Sequence, residues 1–177
     1  VDAISAIGAD TFLMDKWSVD VAILSSQKAM ALPPGLSFVG MGARALARLD
    51  DVTPKTLYLN LSDYLTNQER GQLPYTPAIG LLVQLHQRLD DIRGVGLTAL
   101  CQEHRARALK FRKMLDGLPF RFLPDRPSNA LTALVCEAVN AFELVETLRE
   151  NYGIEAAPNS GALRDTVFRI SHMGAQN

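Results

Sequence analysis

Asp20-Val-Ala-Ile-Leu-Ser-Ser-Gln-Lys28 is the stretch that decides the fold. Residues 20–25 make a continuous apolar run bounded by polar residues, the pattern of a strand covered on both faces in an α/β sheet. The polar tail Ser25-Ser26-Gln27-Lys28 then falls at the carboxyl end of that strand, where side chains of open α/β sheets face the ligand crevice. Core packing does not account for a lysine there. A partly desolvated lysine amine is nucleophilic and forms Schiff bases with carbonyl compounds. The bland alternative is a surface lysine that opens a loop, and the local pattern alone leaves it standing.

On the N-terminal side, residues 1–6 alternate weakly and read as a short strand containing Asp2, 26 residues before Lys28. A buried carboxylate needs a positive partner. Set against a pyridine nitrogen, it would keep a cofactor ring protonated as an electron sink; an edge-strand aspartate is the alternative. On the C-terminal side, residues 35–40 read as a second strand, 42–49 as a short helix and 50–75 as irregular, with Pro54, Gly71 and Pro74 as punctuation. Thr76-Pro77 has the form of a helix N-cap followed by proline in the first turn. Ile79, Leu82, Val83, His86 and Leu89 then share one helical face.

Gly94 and Gly96 interrupt that helix. A second amphipathic helix runs to about Leu115, with Leu97, Leu100, Cys101, His104, Ala108, Phe111 and Leu115 close to the 3.6 period. Beyond Gly117 the pattern gives strands at 120–123 and 130–137, and a helix at 140–151 closed by Tyr152-Gly153. Strands at 154–157 and 166–171 follow, on either side of a turn at 158–161. The organisation is an α/β segment over 1–94 and a smaller α+β unit over 95–177. Arg169 lies inside Val167-Phe-Arg-Ile170. A planar guanidinium suits bidentate binding of a carboxylate, and a structural ion pair is the alternative.

Composition narrows the function classes. Of 177 residues, 47% are hydrophobic and 21% charged, and the net charge is −1. Such a balance supplies a real core and argues against a global field for nucleic acid or an anionic membrane. No apolar run reaches the roughly 20 residues of a membrane span. Cys101 and Cys136 lack metal-ligand spacing, so no metal is expected, and two thiols fit a reducing, cytoplasmic setting. Arg105, Arg107, Lys110, Arg112 and Lys113 read as a solvated helix face. Trp17, His86, His104 and Cys101 read as packing residues, and His172 as either packing or lining a site beside Arg169. The chain opens at Val1 without Met and stops at Asn177 without a closing element, which reads as truncation at both ends.

Several blocks carry a resemblance to a known family: Val1-Asp-Ala-Ile-Ser5, Asp15-Lys-Trp-Ser-Val-Asp20, and Ser25-Ser-Gln-Lys-Ala-Met-Ala-Leu-Pro-Pro-Gly-Leu-Ser-Phe38. It continues through Gly71-Gln-Leu-Pro-Tyr-Thr-Pro77 and ends at Phe168-Arg-Ile-Ser-His-Met-Gly174. In order and spacing these resemble the C-terminal half of the class V, fold-type-I pyridoxal-phosphate (PLP) aminotransferases of the alanine–glyoxylate and serine–pyruvate type. The resemblance implies the PLP-dependent transferase fold, with part of the large domain at 1–94 and an incomplete small α+β domain at 95–177.

It also implies roles. Lys28 would hold PLP as a Schiff base and then shuttle the substrate proton. Asp2 would pair with the pyridine nitrogen, Ile4 would pack on one face of the ring, and Gln27 would reach the phosphate. Thr76 would reach the phosphate of a neighbouring subunit, in a homodimer with shared active sites. Arg169 would hold the substrate α-carboxylate. The reaction would be transamination of a small amino acid, of the alanine, serine or aspartate type, with glyoxylate or pyruvate. Leu73 departs from the polar or aromatic group usual at its place. Gln27 stands where the related cysteine desulfurases carry a histidine, which argues against desulfuration. The competing expectations are a non-catalytic fragment, a dimerisation or binding module of the same fold, or another class V PLP enzyme.

Overall fold

The structure, a computed structural model, describes residues 1–174. The first unit is built on β1 (Val21–Ser25) and β2 (Ser37–Met41), paired antiparallel from Val21↔Met41 to Ser25↔Ser37. On the other edge of β1, residues 1–3 run parallel to it: the Ala3 amide donates to the Ile23 carbonyl at 3.0 Å, and the Ile23 amide to the Val1 carbonyl at 3.1 Å. The strand expected over 1–6 is shortened to this bridge at Asp2. Its carboxylate accepts the Ile4 amide at 2.9 Å, and the Ala6 and Ile7 amides turn back to the Ala3 carbonyl. A short acidic side chain has here diverted the backbone from the ladder. β1 is also less covered than its apolar run implies, for Ile23 is 41% exposed although Ala22 is buried.

Helices α1 (Ala43–Leu49) and α2 (Leu61–Glu69) follow. The second lies inside the stretch expected to be irregular. Leu61, Tyr64 and Leu65 share one half-buried face, but the helix is only nine residues long and lies among turn residues, so its apolar spacing is too brief to stand out. Its Tyr64 meets Tyr58 and Tyr75, with ring centroids 6.4 and 6.2 Å away. α3 (Ile79–Val95) begins after Ala78, three residues beyond Thr76, and the Leu81 and Leu82 amides close on the Ala78 carbonyl. The expected Thr76 cap is therefore absent. The expected packing face of α3 is turned to solvent as well: Ile79 and Val83 are exposed, and His86 is an outward side chain 3.8 Å from Asp90.

Gly96, at φ +85°, makes the break expected near Gly94 and Gly96. α4 (Leu97–Met114) then buries Leu100, His104 and Ala108 at four-residue spacing. The second unit contains β3 (Phe120–Phe122), β4 (Leu131–Cys136), α5 (Ala141–Tyr152), β5 (Ala157–Pro158) and β6 (Val167–Ser171). These strands form one antiparallel sheet in the order β3-β4-β6-β5. Asn140 caps α5 by accepting the Phe142 and Glu143 amides, and Gly153 ends it in the left-handed conformation. Leu134, Cys136, Ala141, Val145 and Phe168 close the core between sheet and helix. A smaller cluster of Ala9, Ala29 and Ala130, with Met173 against it, joins the two units.

Candidate functional site

The turn after β1 is fixed on several sides. The buried Ser26 hydroxyl donates to the Pro33 carbonyl at 2.7 Å and accepts the Leu36 amide at 3.2 Å. The Leu32 amide returns to the Ser26 carbonyl at 3.1 Å and the Ala31 amide to the Lys28 carbonyl at 2.9 Å. Ala31 takes φ +57°, unusual for a residue with a Cβ. Arg88 of α3 donates to the Met30 carbonyl at 3.0 Å. Ala29 is buried against Ala9 and Ala130. Lys28 is therefore a half-buried side chain on a braced turn, not the start of a loose loop.

Lys28 opens on a cavity of about 440 Å³, with Gln27 and Leu32 on the same wall. The facing wall comes from the second unit: Leu131 of β4 with Arg169, Ser171 and Met173. Residues 169, 171 and 173 alternate onto this face by the period of two. In the sheet, Arg169 stands opposite Ala133 on one side and Ala157 on the other. Two methyl-sized neighbours leave its guanidinium uncrowded. It donates to the Pro158 carbonyl at 3.1 Å rather than to any carboxylate among the described residues, so the ion-pair alternative is not realised there.

Three expected site residues are not among those that line this cavity. Asp2 is exposed on the far edge of β1, Ile4 is half-buried in the turn after it, and Thr76 is exposed before α3. The amine, the guanidinium and the Gln27 amide around 440 Å³ suit a small anionic, carbonyl-bearing cofactor and its substrate, within the roughly 300–1,000 Å³ of ordinary ligand sites. The buried Ser25 hydroxyl at the end of β1 has no hydrogen-bond partner among the described residues. A larger cavity, about 570 Å³, lies elsewhere among Phe12, Leu13, Leu24, Leu97 and Cys101. Neither Lys28 nor Arg169 lines it.

Behind the Arg169 wall lies a polar network that the sequence concealed. His172 is buried on the opposite side of the alternation, its Nε2 2.8 Å from the Thr132 hydroxyl and its ring 5.3 Å from Phe111. Burial, then the Arg112 and Arg107 guanidiniums and His104, push its pKa down to about 4. It is a neutral packing residue, not a wall of the site. Arg112 and Arg107 also depart from the expected solvated face, since both turn inward onto backbone carbonyls. Period-two counting from Arg169 would have found Ser171; no signal in the sequence marks Arg112. Trp17, expected to be packed, is 52% exposed and meets Phe12 edge-on at 5.6 Å. Cys101 and His104 lie in or beside the core as expected.

Among the described residues, no helix is long and apolar enough to cross a membrane, and no three His, Cys, Asp or Glu side chains gather as a metal site. No family model matches the chain. An L-aspartate–glyoxylate aminotransferase of Paracoccus denitrificans is 32% identical, the match taking in 99% of this chain and 45% of the relative. A Synechococcus protein named soluble hydrogenase, small subunit, is 30% identical over 98% of this chain and 46% of its own length. Among solved structures, an aspartate aminotransferase of subgroup IV from Thermus thermophilus superposes with TM-score 0.90 at 29% identity, over 99% of this chain and 49% of that one. The chain spans about half the length of the curated relatives it matches.

Proposed function

We propose that this chain, which matches the C-terminal half of class V, fold-type-I aminotransferases of the alanine- and serine-glyoxylate type in sequence and in fold, is the lysine-bearing half of a PLP-dependent aminotransferase for small amino acids. The observation that carries the proposal is that Lys28 and Arg169, 141 residues apart, face one cavity from two different sheets. When bound, PLP supplies the electron sink that stabilises charge at the substrate α-carbon. The Lys28 amine would hold the cofactor, and it would be the base that takes and returns the substrate α-proton. Its braced turn keeps the amine at one place, so proton transfer proceeds without a search for geometry.

Arg169 binds the α-carboxylate of the amino or oxo acid through its planar fork. The apolar Leu32, Leu131 and Met173 around it favour a small side chain and limit water. Alanine, serine or aspartate is the donor class and glyoxylate or pyruvate the acceptor class. Gln27 at the rim is assigned to the cofactor phosphate, Asp2 to its pyridine nitrogen and Ile4 to one ring face. Thr76 is assigned to the phosphate site of a second subunit. The exposed Leu57, Leu59, Ile79 and Val83 in the same stretch of chain offer an apolar surface for a second subunit; a cytoplasmic homodimer with shared sites is part of the same proposal. The two sheets support a division into a large-domain part at 1–94 and a small-domain part at 95–177.

Addition of PLP followed by borohydride reduction tests the proposal. A visible absorption band and a stable label on the peptide carrying Lys28 are expected. Labelling at another lysine, or none, would overturn it.

A further inference from the structure

The wall that carries Arg169 is backed by two arginines of α4, of which Arg112 holds the start of β4. Arg112, inside α4, donates from Nε to the Thr132 hydroxyl at 3.0 Å and from a terminal nitrogen to the Leu131 carbonyl at 3.2 Å. The same nitrogen reaches the Ser128 carbonyl. All three partners lie where β4 begins, and Leu131 is itself a wall of the Lys28 cavity. Leu131 is paired with Ser171, and Ala133 with Arg169. Thr132 continues to His172, and Arg107 of the same helix donates to the His172 carbonyl at 2.9 Å.

The same start of β4 is tied to the lysine side. The Ser128 hydroxyl donates to Asp10, whose other oxygen accepts the Asn129 amide at 3.0 Å. Asp10 follows Ala9, and Ala9 packs with Ala29, the residue after Lys28, and with Ala130. A continuous chain of contacts therefore runs from the lysine turn through Asp10, Ser128 and Arg112 to the strand bearing Arg169. Arg112 holds three groups of this chain at once, and it is partly desolvated, which lowers its pKa although Asp10 opposes the shift. Three convergent bonds match the fork of a guanidinium. An ammonium group at the end of a flexible stem does not reproduce them.

We propose that Arg112 is a positioning residue: by fixing the start of β4 it sets where the Arg169 guanidinium stands relative to the Lys28 amine. It rests on the roles given above to Lys28 and Arg169, and it concerns placement, not contact with substrate. The consequence is that carboxylate recognition depends on the shape of the Arg112 side chain as well as on its charge.

The test compares Arg112→Lys, Arg112→Ala and Arg169→Ala with the parent in the holoenzyme. The KM for the oxo acid glyoxylate should rise about tenfold in both Arg112 variants, with kcat within about threefold, and more steeply in Arg169→Ala. Lysine should not rescue. Independently of turnover, hydrogen exchange should quicken in peptides covering 128–134 and 168–174 while α5 keeps its protection. Borohydride should still label Lys28. A lysine variant with parental KM and parental exchange would overturn the proposal. So would loss of protection across α5 as well, which would make Arg112 a general stabiliser. If the parent itself fails to label at Lys28, the catalytic assignment falls, and the exchange comparison still decides whether Arg112 fixes the wall.

Discussion

The two sheets of this chain differ in what they bury. β4 buries five of its six residues and closes with α5 and β6 around Leu134, Val145 and Phe168. β1 and β2 hold only Ala22 and Ser25 below the surface, and Ile23 and Val39 are each 41% exposed. Yet it is the thinly covered sheet that presents Lys28. Its order comes from local devices: the Ser26 hydroxyl, the Arg88 bond to Met30 and the small alanine cluster. The packed sheet serves as the rigid backing from which Arg169 projects. Burial is thus unequally divided between the two regions, and the lysine proposed as reactive lies on a turn beside the firmer scaffold.

The largest effect should separate the regions in opposite senses. Lys28→Ala in the complete enzyme should lower transamination on the order of 10²–10⁴-fold, the usual scale for removing a positioned proton-transfer group. PLP should still bind through its phosphate, and the unfolding free energy measured in urea should change by no more than about 0.5 kcal/mol. Near-parental turnover would break the division at its most important point.

A second pair of variants addresses stability directly. Leu134→Ala, in the packed sheet, should cost about 2–5 kcal/mol through lost burial and a residual cavity. Ile23→Ala, on the thin sheet, should cost about 1 kcal/mol or less, since much of that side chain is already hydrated. Denaturant midpoints compare the two. Equal losses would mean that the first unit relies on burial as much as the second.

The smallest effect sharpens the boundary. His172 has a folded-state pKa near 4 against an ordinary 6.5. Protons therefore bind the unfolded chain more readily between those values. Stability should be full above about pH 6.5 and should decline as the pH falls toward 4, by at most about 3 kcal/mol. Unfolding measured across this window should show the decline in the parent and a flatter profile in His172→Gln. A parent curve as flat as the variant would remove His172 as a buried neutral group.

Much of the second unit was legible because its signals are local. Asn140 and Gly153 bracket α5 as their chemistry dictates, and the apolar spacing of α4 brings Leu100, His104 and Ala108 inward. The failures have physical causes. α2 is only nine residues long, so the helical spacing of Leu61, Tyr64 and Leu65 was too short to be read against the turn residues around it. Thr76-Pro77 has the composition of a cap, but the helix does not begin until Ile79, with Ala78 at the cap position. Asp2 turns the chain by bonding the Ile4 amide, which ended the expected strand early. His86 falls on an apolar face yet points outward beside Asp90, and Trp17 stays half exposed with Phe12 edge-on against it.

By itself, the sequence determined that a lysine follows a strand and that an arginine lies in a later one, because alternation and polar punctuation are properties of neighbouring residues. It also carried a likeness to relatives that takes in 99% of the chain. Only the tertiary structure decided that Lys28 and Arg169 share a cavity that Asp2, Ile4 and Thr76 do not line. Only it turned Arg112 from a surface charge into the clamp on β4. The physical reason is range. Periodicity fixes which face a side chain takes on its own element, whereas a site depends on which elements meet, and that is set by burial and hydrogen bonds between residues far apart in the chain.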